Sequence, residues 1–255
     1  MREQAEKVIN NVGVIFAGGV GSRMHSKDTP KQFLCIHDKP IIVHTLEHFE
    51  KCSDIDAVVI ACVEDKIAHL KELLYKFRIE KVKKIVPGGK SGQLSIYNGL
   101  CAAKEIANGE KPIVLIHDGV RPLITPALLS ENIACVKQFG SAVTVGIVKE
   151  TLTVVDGDGE ILQVPSREQS RIAKAPQSFW LNDILSAHER ALSDGVTDSI
   201  DSCTLMNKYG YKLHAVVGPY DNIKITTQDD FYTMRAILDA KENAQLYYLG
   251  EHGGK

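Results

Sequence analysis

The fold of this 255-residue chain is constrained above all by an alternation that runs to residue 148, in which short apolar stretches separate longer amphipathic ones. Valine and isoleucine dominate the short stretches, which is typical of strands, and the longer ones have helical periodicity. Strands are predicted at residues 12–17, 56–62, 83–86, 112–118 and 141–148, and helices at 40–52, 64–77, 91–107 and 125–139. Strands of this kind form a mostly parallel sheet that helices cover on both faces. The prediction is a doubly wound α/β fold, with ligands beyond the carboxyl ends of its strands.

The alternation stops after Val148. Residues 149–178 carry two β-like runs around the hairpin signal at residues 156–159, and no helical pattern. Such a segment is expected to leave the domain as a β-hairpin arm and to pack on a second subunit, which predicts a homodimer. Helices at 181–193 and 199–209, strands at 212–217 and 223–226, and a last helix from 228 follow. The simplest organisation is one domain over residues 1–255 with the arm at 149–178.

Charge and cysteine usage narrow the class of protein. The 30 Lys and Arg residues nearly balance the 32 Asp and Glu residues, so the net charge of −2 offers nothing to attract nucleic acid or an anionic membrane. Any phosphate must be bound at a local site. The first apolar run spans only about six residues, too short for a signal peptide or a membrane span. The six cysteines are scattered without a C-x-x-C pair, which favours a reduced, cytoplasmic protein.

A glycine-rich loop, AGGVGSRM, follows the first predicted strand and begins at Ala17. Glycines let backbone N–H groups approach and surround phosphate oxygens. The loop lacks the G-K-[ST] of a Walker A motif and has Met24 where a dinucleotide loop needs its third glycine. Arg23 and Lys31 add two cations that could converge on a polyphosphate. The alternative is an ordinary tight connection with two solvated surface cations.

Three further segments stand at predicted strand ends. The segment GGKSGQLS, which begins at Gly88, opens a helix and either reads a base or merely caps that helix. Asp118, in HDGVRP, is placed where a buried strand emerges, which suits Mg²⁺, although a turn aspartate is the alternative. In the third segment, Asp221 precedes the strand predicted at 223–226 and Lys224 lies within it.

The sequence His44-Thr45-Leu46-Glu47-His48 matches the H-x-x-E-H pattern of inverted zinc peptidases. Its two histidines would share one helical face. Because Leu46 and Phe49 belong to the buried stripe of the same helix, the histidines are interpreted as a solvated face rather than a zinc site.

Four segments in this order, AGGVGSRM with PKQF, GGKSGQLSIYNGL, HDGVRP and NIKITT, closely resemble the cytidylyltransferases that activate alditol phosphates. The resemblance runs from about residue 12 to about residue 240 and includes the arm and the APQSF segment after it. It implies a Rossmann-like nucleotidyltransferase fold, CTP as co-substrate and Mg²⁺ as cofactor. Two branches are similar to this chain. The branch for 2-C-methyl-D-erythritol 4-phosphate in isoprenoid synthesis typically reads AAG, HDAARP and TPQ, whereas this chain has AGG, HDGVRP and APQ. It is more similar to the branch that makes CDP-ribitol from D-ribitol 5-phosphate for teichoic-acid-type cell-wall polymers.

The resemblance also implies roles for individual residues. Arg23 and Lys31 match the pair that stabilises the transition state, and Asp118 and Asp221 are the proposed metal ligands. Lys224 and Arg167, with Thr151 and Arg121, match positions that bind the alditol phosphate. The arm has Ser166-Arg167 where Asp-Arg is commoner, so Arg171 is the alternative arm arginine. The residues that match the CTP-binding stretches are Phe16, Ala17, Gly18, Gly19, Gly21, Gly89, Lys90, Ser91, Gly92, Gln93, Leu94 and Ser95.

Three functions are therefore compared: the ribitol enzyme, the methylerythritol enzyme, and a binding protein that kept the fold without catalysis. A binding protein would retain the glycines, but it would not need Arg23, Lys31, Asp118 and Lys224 together. These charged residues thus favour catalysis, in which two small-molecule substrates meet and neither nucleic acid nor membrane takes part.

Overall fold

The computed structural model describes residues 8–18 and 29–252, with side chains to residue 244. The strands are Asn11–Ala17 (β1), Cys35–Ile36 (β2), Lys39–Pro40 (β3), Ala57–Cys62 (β4), Val82–Pro87 (β5), Ile113–Asp118 (β6), Ser141–Ile147 (β7), Val154–Val155 (β8), Ile161–Gln163 (β9), Arg171–Trp180 (β10) and Ala215–Val217 (β11). The helices are Ile41–Lys51 (α1), Ile67–Lys76 (α2), Gly92–Ile106 (α3), Pro126–Phe139 (α4), Leu181–Ser193 (α5), Ser202–Lys208 (α6) and Gln228–His252 (α7). Within the described part of the chain, no helix is long and apolar enough to cross a membrane.

Seven strands form the central sheet in the order β11-β7-β10-β6-β1-β4-β5. Every pairing is parallel except those of β10, which runs antiparallel between β6 and β7. The chain winds outward from β1 in both directions, to β4 and β5 on one side and to β6 on the other. This reversal at β1 leaves a crevice at the carboxyl ends of the strands, which confirms the predicted doubly wound fold.

Helices cover both faces of the sheet, as the unbroken apolar strands require. On one face α1, α2 and α4 bury a cluster that includes Leu46, Phe49, Leu70 and Ile133. On the other face α3, α5 and α6 bury a second cluster, which includes Leu100 and Phe179. The sheet is therefore held rigidly from both sides, and the loops at its carboxyl edge are presented by a fixed framework.

Two predictions for the second half of the chain are wrong, one in its bounds and one in the existence of a strand. The arm was expected to span residues 149–178, but residues 171–178 belong to β10 and lie in the central sheet, where Ala175 and Phe179 are buried. The strand expected at 223–226 does not form. Its backbone makes single bonds instead, such as Ile225 N to Val120 O at 2.9 Å, because the chain beside it turns away after β6.

The remaining part of the arm contains the predicted hairpin. β8 and β9 pair in an antiparallel manner and form a sheet separate from the central one. Asp156 closes the turn by accepting the N–H groups of Asp158 and Glu160 at 3.0 and 2.9 Å, and Gly159 takes a φ of +88°. A left-handed φ is tolerated by glycine, so the D-G-D-G sequence specifies this turn.

A buried polar network joins α4 to β7 and β10. The Asn132 side chain donates to Thr144 Oγ1 at 3.1 Å and accepts from Ser178 Oγ at 3.2 Å, and all three residues are buried. Asn132 also donates to the Leu128 carbonyl at 2.9 Å. Because one amide satisfies two buried hydroxyls, its loss would leave both without a partner.

We expect Asn132→Ala to lower the free energy of unfolding by about 3 kcal/mol, since it leaves a small cavity and two unpaired hydroxyls. Urea denaturation followed by circular dichroism measures the change. Asn207→Ala, at an exposed position of α6, is the control and should change stability by less than about 0.5 kcal/mol. A loss from Asn132→Ala that is no larger than the control's would refute the role of the network.

Candidate active site

Two adjoining cavities, each of about 280 Å³, open at the carboxyl edge of the sheet. The first, which we call the loop cavity, is lined by Phe16, Ala17, Gly18, Lys31, Gln32, Gly89, Lys90, Ser91, Gly92, Ser95, Asp118, Val120 and Lys224. The second, the β10 cavity, is lined by Phe16, Gly92, Ile96, Ile116, Asp118, Arg121, Ala173, Lys174, Ala175, Gln177, Ser199, Ile200, Asp201, Ser202 and Lys224. The two share Phe16, Gly92, Asp118 and Lys224, so two ligands bound there would meet at these residues.

The serine-rich turn before α3 forms one wall of the loop cavity. Ser91 caps α3 by accepting Leu94 N at 3.1 Å, and Ser95 Oγ accepts Gly89 N at 3.0 Å. A Cβ at Gly89 would lie 2.4 Å from the Leu94 Cβ, so the turn requires glycine there. These bonds fix a curved backbone whose polar groups border the cavity, which suits recognition of a base edge.

A second wall begins at the end of β1. Gln32 is buried and donates to the Ala17 carbonyl at 2.7 Å, which ties the short 3₁₀ turn Lys31–Phe33 to that strand. Lys31 thereby lines the loop cavity beside Gly18. Gly19, Gly21 and Arg23, which the sequence assigned to the same loop, lie outside the described residues.

An ion cluster centred on a buried carboxylate stands where the two cavities meet. Asp118 Oδ1 lies 2.6 Å from Lys224 Nζ, and Asp118 Oδ2 lies 3.0 Å from Arg121 Nε. Burial alone would raise the pKa of the Asp118 carboxyl, but Lys224 and Arg121 outweigh burial and lower its pKa to about 2. The carboxylate is thus charged at neutral pH, and it holds two cations at the junction of the cavities.

The segment that carries Lys224 is anchored from several sides. Arg121 Nη1 donates to the Asn222 carbonyl at 3.0 Å, and the Asn222 side chain donates to the Ala175 carbonyl at 2.8 Å. The Lys224 ammonium also lies 5.7 Å from the centre of the Phe16 ring. The ammonium therefore has a fixed position between the two cavities.

Sequence patterns did not indicate most of the wall of the β10 cavity. Lys174 lies beside a register shift in β10 between Ala173 and Gln177, and it donates to the Tyr220 carbonyl at 3.1 Å. Burial, followed by the nearby Arg121, lowers the pKa of Lys174. Gln177 donates to Asp201 Oδ2 at 2.9 Å and so joins β10 to the start of α6. A bulge that redirects side chains has no clear sequence signal, although the Lys-Ala-Pro-Gln run marks its place.

Several expected site residues lie elsewhere. Gln93 and Leu94 do not line the loop cavity, and Gln93 instead holds residues 196–199 through bonds to Val196 O and Ser199 N, both 2.7 Å. Asp221 lines neither cavity and pairs with Lys241 of α7 at 2.6 Å.

The hairpin part of the arm, residues 149–170, also lines neither cavity. Arg167 is exposed and donates to Thr151 Oγ1 at 3.1 Å, whereas Arg171 donates to the carbonyls of Glu168 and Ser170. Within one chain, therefore, this part of the arm does not reach the two cavities.

The H-x-x-E-H histidines lie on α1 away from both cavities. They are half-buried rather than solvated, so that part of the interpretation is wrong: His44 hydrogen-bonds to the Ile36 carbonyl at 3.1 Å, and Glu47 pairs with Lys39 at 2.6 Å. Among residues 8–18 and 29–244, no group of three or more His, Cys, Asp or Glu side chains could hold a metal ion.

A switch-point crevice with a glycine-rich strand end, a capped serine turn and a fixed lysine defines a nucleotide-binding α/β protein. Comparison with known proteins is more specific. Residues 12–240 match the family model described as IspD, 2-C-methyl-D-erythritol 4-phosphate cytidylyltransferase. The chain therefore belongs to this cytidylyltransferase family, and it is an enzyme of the nucleotidyltransferase class with CTP as a substrate.

Individual relatives divide between two names. The chain is 54% identical over 93% of its length to the ribitol-5-phosphate cytidylyltransferase of Streptococcus agalactiae serotype III, 99% of which is covered. The protein of that name from Vibrio parahaemolyticus is 51% identical, over 93% of this chain and 99% of its own. A 2-C-methyl-D-erythritol 4-phosphate cytidylyltransferase of Clostridium botulinum is 39% identical over 90% of this chain and 97% of its own length. The crystal structure of 4-diphosphocytidyl-2C-methyl-D-erythritol synthase from Anaerococcus prevotii superimposes on this chain with a TM-score of 0.78 at 25% sequence identity. The superposition covers 91% of this chain and 96% of that one.

Three histidines, two of them buried and one half-buried, should make the protein less stable in mild acid. Burial lowers the pKa of His48, His117 and His188 from 6.5 to about 4. Between these values the unfolded chain binds more protons than the folded one, so the free energy of unfolding falls as the pH drops from 6.5 toward 4. We expect His48→Gln to reduce this slope by about 1 kcal/mol per pH unit.

The slope is measured by urea denaturation at several pH values in that interval. His69→Gln, at a half-exposed ring on α2, is the matched control. If both variants keep the slope of the parent protein, burial of His48 does not contribute to the acid sensitivity.

Proposed function

We propose that the enzyme converts D-ribitol 5-phosphate and CTP to CDP-ribitol and pyrophosphate. The observation that carries the proposal is the pair of cavities with Lys224 and Asp118 between them. CTP would occupy the loop cavity and the alditol phosphate the β10 cavity, so that the attacking phosphate oxygen faces the α-phosphorus. The relatives named for ribitol 5-phosphate are 54% and 51% identical to this chain, whereas the relative named for methylerythritol phosphate is 39% identical. The higher identities support ribitol 5-phosphate as the substrate.

The chemistry needs no covalent enzyme intermediate. The phosphate of the alditol has a second pKa of about 6, so it is largely dianionic at neutral pH and needs no general base. Catalysis then consists of alignment and of charge stabilisation at the α-phosphoryl group and the departing pyrophosphate. The loop cavity is lined by three lysines, Lys31, Lys90 and Lys224, and by the carboxylate of Asp118. This excess of positive charge suits a triphosphate. Arg23 is proposed to join Lys31 in stabilising the transition state.

The incoming alditol phosphate would meet a second set of cations. Arg121, Lys174 and Lys224 line the β10 cavity, and Lys224 belongs to both cavities. The dianion can therefore be held by Arg121 and Lys224 at the junction while its carbon chain extends along the β10 cavity. An arrangement of this kind holds the nucleophile in line, which is the larger part of catalysis in phosphoryl-type transfer.

The donor set also fits Mg²⁺ bound mainly through the substrate. Magnesium needs one or two protein carboxylates and takes its other ligands from phosphate oxygens and water. Asp118 borders both cavities and is the residue proposed to hold it, whereas Asp221 lines neither cavity. When bound, the ion would neutralise charge on the phosphates of CTP.

Pyrophosphate release from CTP, measured with each alditol phosphate in turn, tests the proposal. We expect kcat/KM to be at least about tenfold higher with D-ribitol 5-phosphate than with 2-C-methyl-D-erythritol 4-phosphate. Lys31→Ala should lower kcat by about a hundredfold and change the affinity for CTP less, because this cation acts chiefly in the transition state.

Lys84→Ala is the matched control, since Lys84 pairs with Glu105 on the surface away from both cavities. It should keep the parent kcat. A higher kcat/KM with methylerythritol phosphate would contradict the ribitol assignment. An unchanged kcat in Lys31→Ala would show that Lys31 is a solvated surface cation without a role in catalysis.

We further propose that the enzyme is a homodimer whose sites are completed by the partner's arm. Arg167 lies on the arm and reaches neither cavity of its own chain. The arm also presents a row of apolar side chains to solvent, with exposures from 45% to 62% at Val154, Val155, Ile161, Leu162 and Val164. A row of this kind on a thin hairpin favours burial against a second copy. The product would supply teichoic-acid-type polymers, as the sequence resemblance implies.

Mixing two inactive variants tests completion in trans. Arg167→Ala should raise KM for the alditol phosphate far more than KM for CTP. After random subunit exchange with Lys31→Ala, each mixed dimer keeps one intact site, so up to about a quarter of the parent activity should return.

The double variant Lys31→Ala/Arg167→Ala, mixed with either single variant, is the control and should restore nothing. Exchange is verified by mass spectrometry of tagged subunits. Proven exchange without recovered activity would show that the arm serves its own chain.

A further inference from the structure

A small recess lies behind the β10 cavity. It measures about 10 Å³ and is lined by Gln93, Ile96, His188, Ser199, Asp201, Ser202 and Leu205. Four of these residues, Ile96, Ser199, Asp201 and Ser202, also line the β10 cavity, so the recess adjoins the space proposed for the alditol. Its volume is about that of one oxygen atom with its hydrogens, the size of a water molecule or of a hydroxyl group.

Two side chains around the recess have unsatisfied hydrogen-bonding capacity. Ser202 and His188 are only 3% and 2% exposed. Within the described part of the chain, Ser202 Oγ and both ring nitrogens of His188 are buried without a hydrogen-bond partner. Native proteins pair nearly all buried polar groups, so two such side chains around one void indicate a missing polar ligand.

The other polar groups around the recess already have partners. Asp201 accepts Thr204 N at 2.7 Å through one oxygen and the Gln177 amide at 2.9 Å through the other. The Gln93 side-chain amide donates to the Val196 carbonyl and accepts the Ser199 N–H. The free capacity is therefore that of one hydroxyl and one imidazole.

The chemistry of these two groups suits a neutral partner. Burial lowers the pKa of His188 to about 4, so its ring is neutral and offers one donor and one acceptor. The Ser202 hydroxyl can also donate or accept. A hydroxyl group, which does both, is the matching partner, whereas a phosphate would find no cation at the recess.

We propose that this recess binds one hydroxyl group of the alditol, the terminal one at the end of the chain remote from the phosphate, and that Ser202 is a specificity-determining residue. The inference rests on the proposed function, in which the alditol occupies the β10 cavity. The cations Arg121, Lys174 and Lys224 hold the phosphate in that cavity, and the recess lies on its α5 and α6 side. The phosphate and the remote hydroxyl thus have separate partners, which orients the substrate.

The test compares D-ribitol 5-phosphate with 1-deoxy-D-ribitol 5-phosphate, which lacks that hydroxyl. In the parent enzyme kcat/KM should be at least about tenfold higher for the complete substrate, because removing one partner leaves buried polar groups unpaired. Ser202→Ala should raise KM for ribitol 5-phosphate about tenfold, leave KM for CTP unchanged, and reduce the preference over the deoxy compound by a similar factor. Ser202→Val, which fills the recess, should reduce that preference as well.

Thermal unfolding of the ligand-free protein separates recognition from folding. Ser202→Ala should not lower Tm, since its Oγ has no partner to lose. Ser141→Ala is the matched control: Ser141 is equally buried but donates to the Lys212 carbonyl at 3.0 Å, so this change should lower Tm and leave both KM values unchanged.

Two results would overturn the inference while leaving the proposed function intact. One is a parent enzyme that uses both alditol phosphates equally well. The other is a Ser202→Ala variant that keeps the full preference, as it would if the recess held only a structural water. By contrast, a parent enzyme that fails to use D-ribitol 5-phosphate contradicts the proposed function itself, before any variant is compared.

Discussion

The Asp118 carboxylate is the element on which the rest of the site depends. It is buried at the end of β6, and its two oxygens hold Arg121 and Lys224 at 3.0 and 2.6 Å. A buried carboxylate without partners would be strongly destabilising, so its cations are required for the fold as much as for the chemistry. Because Arg121 in turn binds the Asn222 carbonyl, the ion cluster also fixes the segment that carries Lys224.

This dependence explains why residues 222–225 need no strand geometry. Asn222 bonds to β10, Ile225 bonds to the loop after β6, and Lys224 pairs with Asp118, so three kinds of interaction replace a regular ladder. Apolar residues at Ile223 and Ile225 imitate a strand in sequence, and Ile225 is indeed buried. Such a run forms a strand only if a neighbouring segment of the same chain stays extended beside it, and local sequence does not encode that.

The part of the structure predictable from sequence is the part governed by local periodicity. The parallel strands were predicted because valine and isoleucine fill both faces, and the loop cavity was predicted from the glycines that follow those strands. β10 was assigned largely to the arm, because residues 149–178 carry β-like runs around a hairpin signal and no helical pattern. Its second half is inserted antiparallel between β6 and β7, a choice made by long-range pairing rather than by propensity.

The same distinction separates the two cavities. The loop cavity is built from segments that follow strands, so each contributing residue stands in a recognisable motif. The β10 cavity and its recess are formed by residues of β10, α3, α5 and α6. Neither Ser202 nor His188 belongs to a sequence motif from which a ligand can be predicted. The chemistry of the β10 cavity nevertheless divides clearly. Cations stand toward the junction with the loop cavity, whereas among the described residues the recess has no cation and its unpaired polar groups are a hydroxyl and an imidazole. A substrate with an anion at one end and a hydroxyl at the other can enter such a cavity in only one direction. That direction brings its phosphate to Lys224, which borders the space proposed for the α-phosphoryl group of CTP.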